Sequence, residues 1–164
     1  MNAVTDTQRF VGVWELEGID EGDSLKGRKR ARKAGKDLLE GKRGPVPGFE
    51  RPVGLLIYLA SGYMSVNFAG TSRRPFLREF SPAPPELAAA GAAYGGYAGR
   101  WELVESHREV LHHVETAFVP NRVGHTIRRS YSFEESSRFL LLRPIALSAG
   151  EEAPSRVLRW RRRE

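Results

Sequence analysis

The chain of 164 residues has a mass of 18.4 kDa, with 40% hydrophobic and 28% charged residues, which is typical of a single folded domain over residues 1–164. This composition excludes a wholly disordered chain, a collagen-like chain and a bundle of membrane-spanning helices. The absence of cysteine excludes disulfide frameworks, thiolate zinc sites and a cysteine nucleophile, and the net charge of +6 is concentrated in one segment.

Short apolar runs separated by turn residues recur along the chain and predict β-strands. They lie at residues 10–17, 52–59, 63–68, 99–105, 109–119, 124–133, 138–143 and 155–161. Between the second and third runs, Gly62 is placed where a hairpin turn needs a positive φ. A spacing of about eight to twelve residues per strand is typical of an antiparallel sandwich or barrel. The predicted fold class is therefore all-β.

The segment at about 23–51 interrupts this pattern and carries the charge. Within it, residues 26–43 contain nine basic and two acidic side chains, a net charge of +7, and no aromatic residue. We predict a long mobile loop here. Three roles remain open for it: a solvated loop, a surface that attracts an anionic partner, or salt-sensitive nonspecific binding of nucleic acid. Dedicated nucleic-acid surfaces interleave aromatic residues with the positive charge, so the third role is disfavoured.

One helix is predicted at residues 84–94, which are rich in alanine. Ser81 provides a residue suited to start the helix, and Pro84 and Pro85 follow in the first turn, where proline is tolerated. Gly91 weakens the helix near its end. The chain therefore contains one short helix among strands.

Five segments resemble the bacterial lipocalin-like domain family, whose members are small single-domain barrels. They are 10–16 (Phe-Val-Gly-Val-Trp-Glu-Leu), 53–66, 94–101 (Tyr-Gly-Gly-Tyr-Ala-Gly-Arg-Trp), 111–116 (Leu-His-His-Val-Glu-Thr) with Pro120, Asn121 and Gly124, and 158–160 (Leu-Arg-Trp). The resemblance spans nearly the whole chain and implies a single antiparallel β-barrel of about eight strands. It also implies that Trp14 plugs the closed end of the barrel. The basic segment departs from the family, whose members have a shorter, non-basic connection at the open mouth.

The resemblance also carries an expectation about function, because similar small barrels catalyse cyclisations in polyketide pathways. It implies a barrel that binds a small hydrophobic molecule and acts as a cofactor-independent cyclase or isomerase on a polyketide-type substrate. The alternative is a non-catalytic ligand carrier or sensor of the lipocalin type.

Alternation along the strands predicts which side chains face the interior of such a barrel. The more apolar parity of 109–119 contains His112 and Thr116, and that of 124–133 contains His125 and Arg129. The predicted interior is aromatic and aliphatic with these few polar residues, which is typical of a site for an organic ligand. An ordinary filled barrel core would give nearly the same residues.

Four residues are candidates for catalysis: His112, His113, Glu115 and Arg129. A histidine in the interior has a pKa suited to proton transfer or to orienting a carbonyl. A buried guanidinium needs a partner, which is either a structural carboxylate such as Glu102, Glu105 or Glu115, or an acidic or enolic ligand. His113 and Glu115 are included because a shift of one residue in the strand would turn them inward.

Eight further residues are candidates to line the ligand site, because they supply flat apolar area, hydroxyl groups or flexible filling. They are Tyr58, Tyr63, Met64, Phe68, Tyr97, Trp101, Thr116 and Tyr131. Each can equally be filling of the barrel core.

The sequence predicts no metal, since adjacent residues such as His112 and His113 point to opposite faces of a strand and cannot share an ion. No cofactor is expected, and no P-loop or dinucleotide-binding fingerprint occurs. The expected partner is a small hydrophobic molecule, with nucleic acid disfavoured and a homodimer left open. The longest apolar run, residues 53–60, is too short to span a membrane, and residues 1–8 do not resemble a signal peptide. A cytoplasmic location is therefore expected.

Overall fold

The computed structural model describes residues 5–21 (the backbone alone at 20 and 21), 52–145 and 156–163, and it forms a closed antiparallel barrel of eight strands. The strands are β1 (Gly12–Glu21), β2 (Pro52–Tyr58), β3 (Tyr63–Gly70), β4 (Tyr94–Val104), β5 (Glu109–Ala117), β6 (Thr126–Glu134), β7 (Phe139–Pro144) and β8 (Arg156–Arg162). Each strand pairs with the next in the chain, and β8 pairs with β1 to close the barrel. The predicted fold class and the number of strands are confirmed.

Two α-helices and three single-turn 3₁₀ helices complete the described structure. They are α1 (Asp6–Phe10), α2 (Pro84–Ala92) and the 3₁₀ turns Glu105–His107, Pro120–Arg122 and Glu135–Ser137. The helix predicted from alanine content is α2, but it begins after Ala83 rather than at Ser81. The Glu86 carboxylate accepts hydrogen bonds from the backbone N–H groups of Leu77 and Ala83, at 2.9 and 2.7 Å, and this fixes the start of the helix.

The two ends of the barrel differ in how the strands are connected. At one end, which we call the closed end, four-residue connections at 59–62, 105–108 and 135–138 join neighbouring strands. In the first of these, Gly62 has a φ of +85°, as the sequence predicts. At the opposite end, the open end, the described connections are longer, at 71–93 and 118–125. The predicted basic loop at 23–51 lies outside the described residues.

The closed end is sealed by α1, which the sequence analysis did not predict. Thr5 and Gln8 form a capping box, in which each side chain accepts a hydrogen bond from the other residue's backbone N–H. The helix delivers Phe10, fully buried, against the rings of Tyr58 and Tyr131, with centroids 5.1 and 4.9 Å away. The strand predicted from residue 10 therefore begins at Gly12 instead.

Trp14 lies beneath α1 at the closed end, where the resemblance places it. It is fully buried, and its indole N–H donates to the Phe10 carbonyl at 2.8 Å. The Arg162 guanidinium lies 4.2 Å from the centre of the Trp14 ring and donates to the carbonyl oxygens of Val11 and Arg9. The carboxyl-terminal arginines are thus part of the closed end rather than a free tail.

Among the described residues, no helix is long and apolar enough to cross a membrane.

Candidate functional site

A cavity of about 220 Å³ lies inside the barrel, towards the open end. Its lining is mainly apolar, with a histidine, a tyrosine, three arginines and a tryptophan. The lining residues are Ile19, Leu56, Val66, Phe68, Tyr97, His112, Arg122, Arg129, Leu142, Pro144, Arg156, Leu158 and Trp160. Two wider depressions lie elsewhere. One of about 660 Å³ is lined by α2 and the segment before it, and one of about 790 Å³ is lined by the turn at 135–138 and residues 161–163. We take the inner cavity as the candidate site because it is walled by the inward side chains of the strands.

His112 is held between two tyrosines in the wall of this cavity. The Tyr58 hydroxyl lies 2.7 Å from His112 Nε2, and the Tyr97 hydroxyl lies 2.8 Å from His112 Nδ1. All three residues are buried. They come from β2, β4 and β5, whose inward parity places them at one level of the barrel. Both ring nitrogens of His112 are therefore occupied by hydroxyl groups.

Burial keeps His112 neutral at ordinary pH. The pKa of His112 is lowered from 6.5 to about 3, mainly by loss of solvation and additionally by the positive charge of Arg129 and by the nearby His113. Burial also raises the pKa of Tyr58 well above its usual range. His112 is therefore neutral between its two tyrosines, and it does not serve as a cationic acid near neutral pH.

Arg129 lines the same cavity, and no carboxylate whose side chain the structure describes pairs with it. Of the partners that the sequence suggested, Glu102 lies 3.3 Å from His113 Nε2 and Glu115 lies 3.7 Å from Arg100 Nε, both on the outer face of the barrel. Glu105 is exposed in the turn after β4. None of the three carboxylates suggested by the sequence is therefore shown paired with Arg129.

Two more arginines and one indole add hydrogen-bond donors to the lining. Arg122 lies at the open end, 5.9 Å from the centre of the Tyr97 ring, and Arg156 begins β8. Trp160 is 1% exposed, and its indole N–H has no hydrogen-bond acceptor in the described structure. An unpaired buried donor is uncommon in proteins and needs an explanation. Among the described lining side chains, hydrogen-bond donors therefore outnumber acceptors.

The structure brings only some of the predicted site residues to the cavity. His112, Arg129, Tyr97 and Phe68 line it, and Tyr58 stands directly behind His112. Three others are buried in the core but do not line it: Met64, Trp101 and Tyr131. Trp101 and Tyr131 belong to the closed end, where the indole N–H of Trp101 donates to the Leu59 carbonyl at 3.0 Å and the Tyr131 hydroxyl donates to Asp6 at 2.7 Å.

Four predicted site residues lie on the outer face instead. His113 contacts Thr126 and Glu102, Glu115 contacts Arg100, and the Tyr63 hydroxyl accepts a hydrogen bond from Arg100 at 3.0 Å. His113, Glu115 and Tyr63 follow the regular alternation and point outwards, so they do not reach the cavity. Thr116 is the fourth, and its position has a different cause.

A β-bulge displaces Thr116 from the interior. Gly99 pairs with Val114 while Ala98 pairs with Thr116, so Glu115 is an extra residue on β5 and the alternation reverses beyond it. A Cβ at Gly99 would lie 2.0 Å from the His113 carbonyl oxygen, which is why this close approach requires glycine. Thr116 is exposed and Ala117 packs against the core in its place. His125, also predicted inside, is exposed in the loop before β6.

Within the described ranges, no three histidine, aspartate or glutamate side chains come close enough together to hold a metal ion. A family model described as a lipocalin-like domain matches residues 40–163 of the chain. No curated protein and no solved structure matches the chain.

Proposed function

Since the chain belongs to the lipocalin-like domain family, whose barrel suits small-molecule binding, we propose that its cavity binds a small, largely apolar molecule that carries an acidic or enolic oxygen group. The observation that carries this proposal is Arg129, a guanidinium in the barrel wall with no carboxylate beside it in the described structure. A ligand anion would supply the missing charge.

The partly buried charge of Arg129 carries a free-energy cost. A guanidinium removed from water is unfavourable unless an anion and hydrogen-bond acceptors replace the lost solvent. Arg122, Arg156 and the unpaired Trp160 N–H add to the same demand for acceptor oxygens. The remaining lining consists of apolar side chains such as Leu56, which suits the hydrocarbon part of a ligand.

The size of the cavity limits the ligand. Its 220 Å³ is below the roughly 300 Å³ at the lower end of sites for drug-sized molecules. The cavity therefore accommodates a short chain or a single ring system, or the acidic head of a longer molecule that extends through the open end.

The proposal is tested with two probes of the same chain length, octanoate and octanol, by isothermal titration calorimetry. We expect octanoate to bind about tenfold or more tightly than octanol, since a hydrogen bond to a charged group contributes about 1.5–3 kcal/mol. The Arg129→Gln variant is expected to lose this preference. Arg128→Gln is the matched control, because Arg128 points outwards and pairs with Glu109 at 2.6 Å. Equal binding of the two probes by the native protein would contradict the proposal.

A second candidate function, cofactor-independent cyclisation or isomerisation of a polyketide-type substrate, is favoured by the position of Arg129 beside the His112 and Tyr97 pair. Such a barrel would hold a flexible substrate in a reactive conformation and exclude water. Arg129 would polarise a carbonyl or stabilise an enolate, while the neutral His112 would hold Tyr97. Turnover of an enolisable polyketide-type compound, lost in Arg129→Gln while binding of the uncharged part persists, supports this candidate. A ligand recovered unchanged after prolonged incubation supports the alternative, a non-catalytic carrier or sensor.

A further inference from the structure

Tyr58, His112 and Tyr97 form a hydrogen-bonded triad. One of its two hydroxyl protons has no acceptor within the triad. Neutral His112 offers one N–H and one bare nitrogen. One tyrosine therefore donates to the bare nitrogen, and the other accepts from the N–H and keeps its own proton free. The two hydroxyls have no other hydrogen-bond partner among the described residues. The remaining hydroxyl proton therefore needs an acceptor outside the triad.

The positions of the two tyrosines decide which of them has the free proton. Tyr58 is fully buried and is not among the residues that line the cavity. A free proton on Tyr58 would lack an acceptor, at a cost of about 1–3 kcal/mol. Tyr97 lines the cavity, where a ligand oxygen or water can accept. The favoured arrangement has Tyr58 donating to Nε2 and the N–H at Nδ1 donating to Tyr97.

We propose that Tyr97 donates its hydroxyl proton to an oxygen of the bound ligand, and that His112 and Tyr58 are positioning residues that point this proton into the cavity. The inference rests on the proposed function and refines the ligand class. Tyr97 and Arg129 together form a pair of donors suited to two neighbouring acceptor oxygens, as in a carboxylate or the enolate of a β-dicarbonyl compound. A ligand whose only polar group is an ammonium is excluded from this position, because an ammonium has no acceptor for the protons of Tyr97 and Arg129.

The first test determines the tautomer of His112 without any ligand. In protein with isotopically labelled histidine nitrogens, NMR distinguishes a nitrogen that bears a proton from one that does not. We expect His112 to bear its proton on Nδ1. A proton on Nε2 would overturn the inference, because Tyr97 would then donate to the ring and have no proton for a ligand. This result is independent of whether octanoate binds.

The second test compares octanoate affinity in Tyr→Phe variants, which keep the ring and remove only the hydroxyl. Tyr97→Phe is expected to weaken octanoate binding about tenfold and to leave octanol binding nearly unchanged. Tyr58→Phe is expected to give a smaller loss, although Tyr58 does not line the cavity, because the tautomer of His112 is no longer fixed. Tyr63→Phe, on the outer face, is the control and should bind octanoate as the native protein does.

The outcomes separate the inference from the proposed function. Native affinity for octanoate in Tyr97→Phe would overturn the inference, whereas loss in Tyr97→Phe with no loss in Arg129→Gln would overturn the role given to Arg129. If neither octanoate nor octanol binds the native protein, the proposed function is overturned, and the tautomer alone decides whether the Tyr97 proton lies in the cavity.

Discussion

The closed and open ends of the barrel use the same residue types in opposite ways. At the closed end, Arg162 donates to backbone carbonyls and covers Trp14, while Arg161 pairs with Glu15 at 3.0 Å. At the open end, Arg129 and Arg156 line the cavity, and no carboxylate whose side chain the structure describes pairs with either. The closed end satisfies these charges internally, whereas at the open end the described side chains do not. The proposed ligand would supply the missing acceptors there.

The apolar side chains show the same contrast. Phe10 is fully buried at the closed end, whereas Leu77 and Phe80, in the connection at the open end, are 93% and 94% exposed. We therefore expect the closed end to carry stability and the open end to bind the proposed ligand. Four substitutions or conditions test this separation, here from the largest expected effect on stability to the smallest.

Phe10→Ala should destabilise the protein most, by about 3–5 kcal/mol in the free energy of unfolding, because it leaves a cavity among the aromatic rings of the closed end. Urea denaturation measures the change. Phe80→Ala is the matched control, expected to stay within about 0.5 kcal/mol because that ring is exposed. If the two ends are separate, folded Phe10→Ala binds octanoate as the native protein does. Loss of octanoate binding in that folded variant would break the comparison.

Acidification should destabilise the protein through His112, which lies between the two ends. The unfolded chain takes up a proton on this residue as the pH falls through 6.5, but the folded protein does so only near pH 3. The contribution of His112 to the free energy of unfolding is therefore fully present above pH 6.5. It is lost towards pH 3, by about 1.4 kcal/mol per pH unit. Denaturation at a series of pH values should show this slope, reduced by one proton in His112→Gln. An NMR titration that places the pKa of His112 near its ordinary value would contradict it.

Tyr131→Phe should cost about 1–2 kcal/mol, because it removes the hydroxyl that donates to Asp6 at 2.7 Å and ties α1 to β6. The ring remains packed against Phe10, so the loss reports on the hydrogen bond. Hydrogen exchange at the amides of α1 and the first residues of β1 should rise more than exchange at β4 and β5. A uniform rise in exchange across the barrel would show that α1 does not unfold separately.

Arg129→Gln should have the smallest effect on stability and the opposite sign. Removing a positive charge that has no carboxylate partner in the described structure is expected to raise the free energy of unfolding by up to about 1 kcal/mol. The thermal unfolding temperature measures it, with Arg128→Gln as the control. A marked loss of stability would mean that Arg129 has a structural partner, and the distinction between the two ends would fail.

Much of the barrel follows from local pattern. Alternation predicted the inward position of His112 and Met64, because regular antiparallel strands repeat every two residues and one face is buried. The turn at Gly62 and the helix at 84–94 were also predicted, since glycine with positive φ and an alanine-rich run with initial prolines have local causes.

The wrong predictions concern features that depend on contacts between elements rather than on the pattern within one strand. The bulge at Glu115 depends on the fit between β4 and β5 at Gly99, so the alternation alone placed Thr116 inside. The spacing of Thr5 and Gln8 is that of a capping box and indicates the start of α1. The apolar pattern from Phe10 onwards was instead assigned to a strand. Arg122 and Arg156 reach the cavity from the ends of loops and strands, and their place depends on barrel closure rather than on periodicity.

The pairing of β8 with β1 has a consequence for the order of folding. A chain in which only β1 to β7 have formed is an open sheet with two unpaired edges, and both edges are prone to pair with other chains. The hydrogen bond from Arg162 to Val11 joins residues 151 positions apart, so this contact is among the slowest to be gained. We therefore expect a nascent chain on the ribosome to lack the cavity until β8 has left the exit tunnel, and chaperones that cover strand edges to act before that moment.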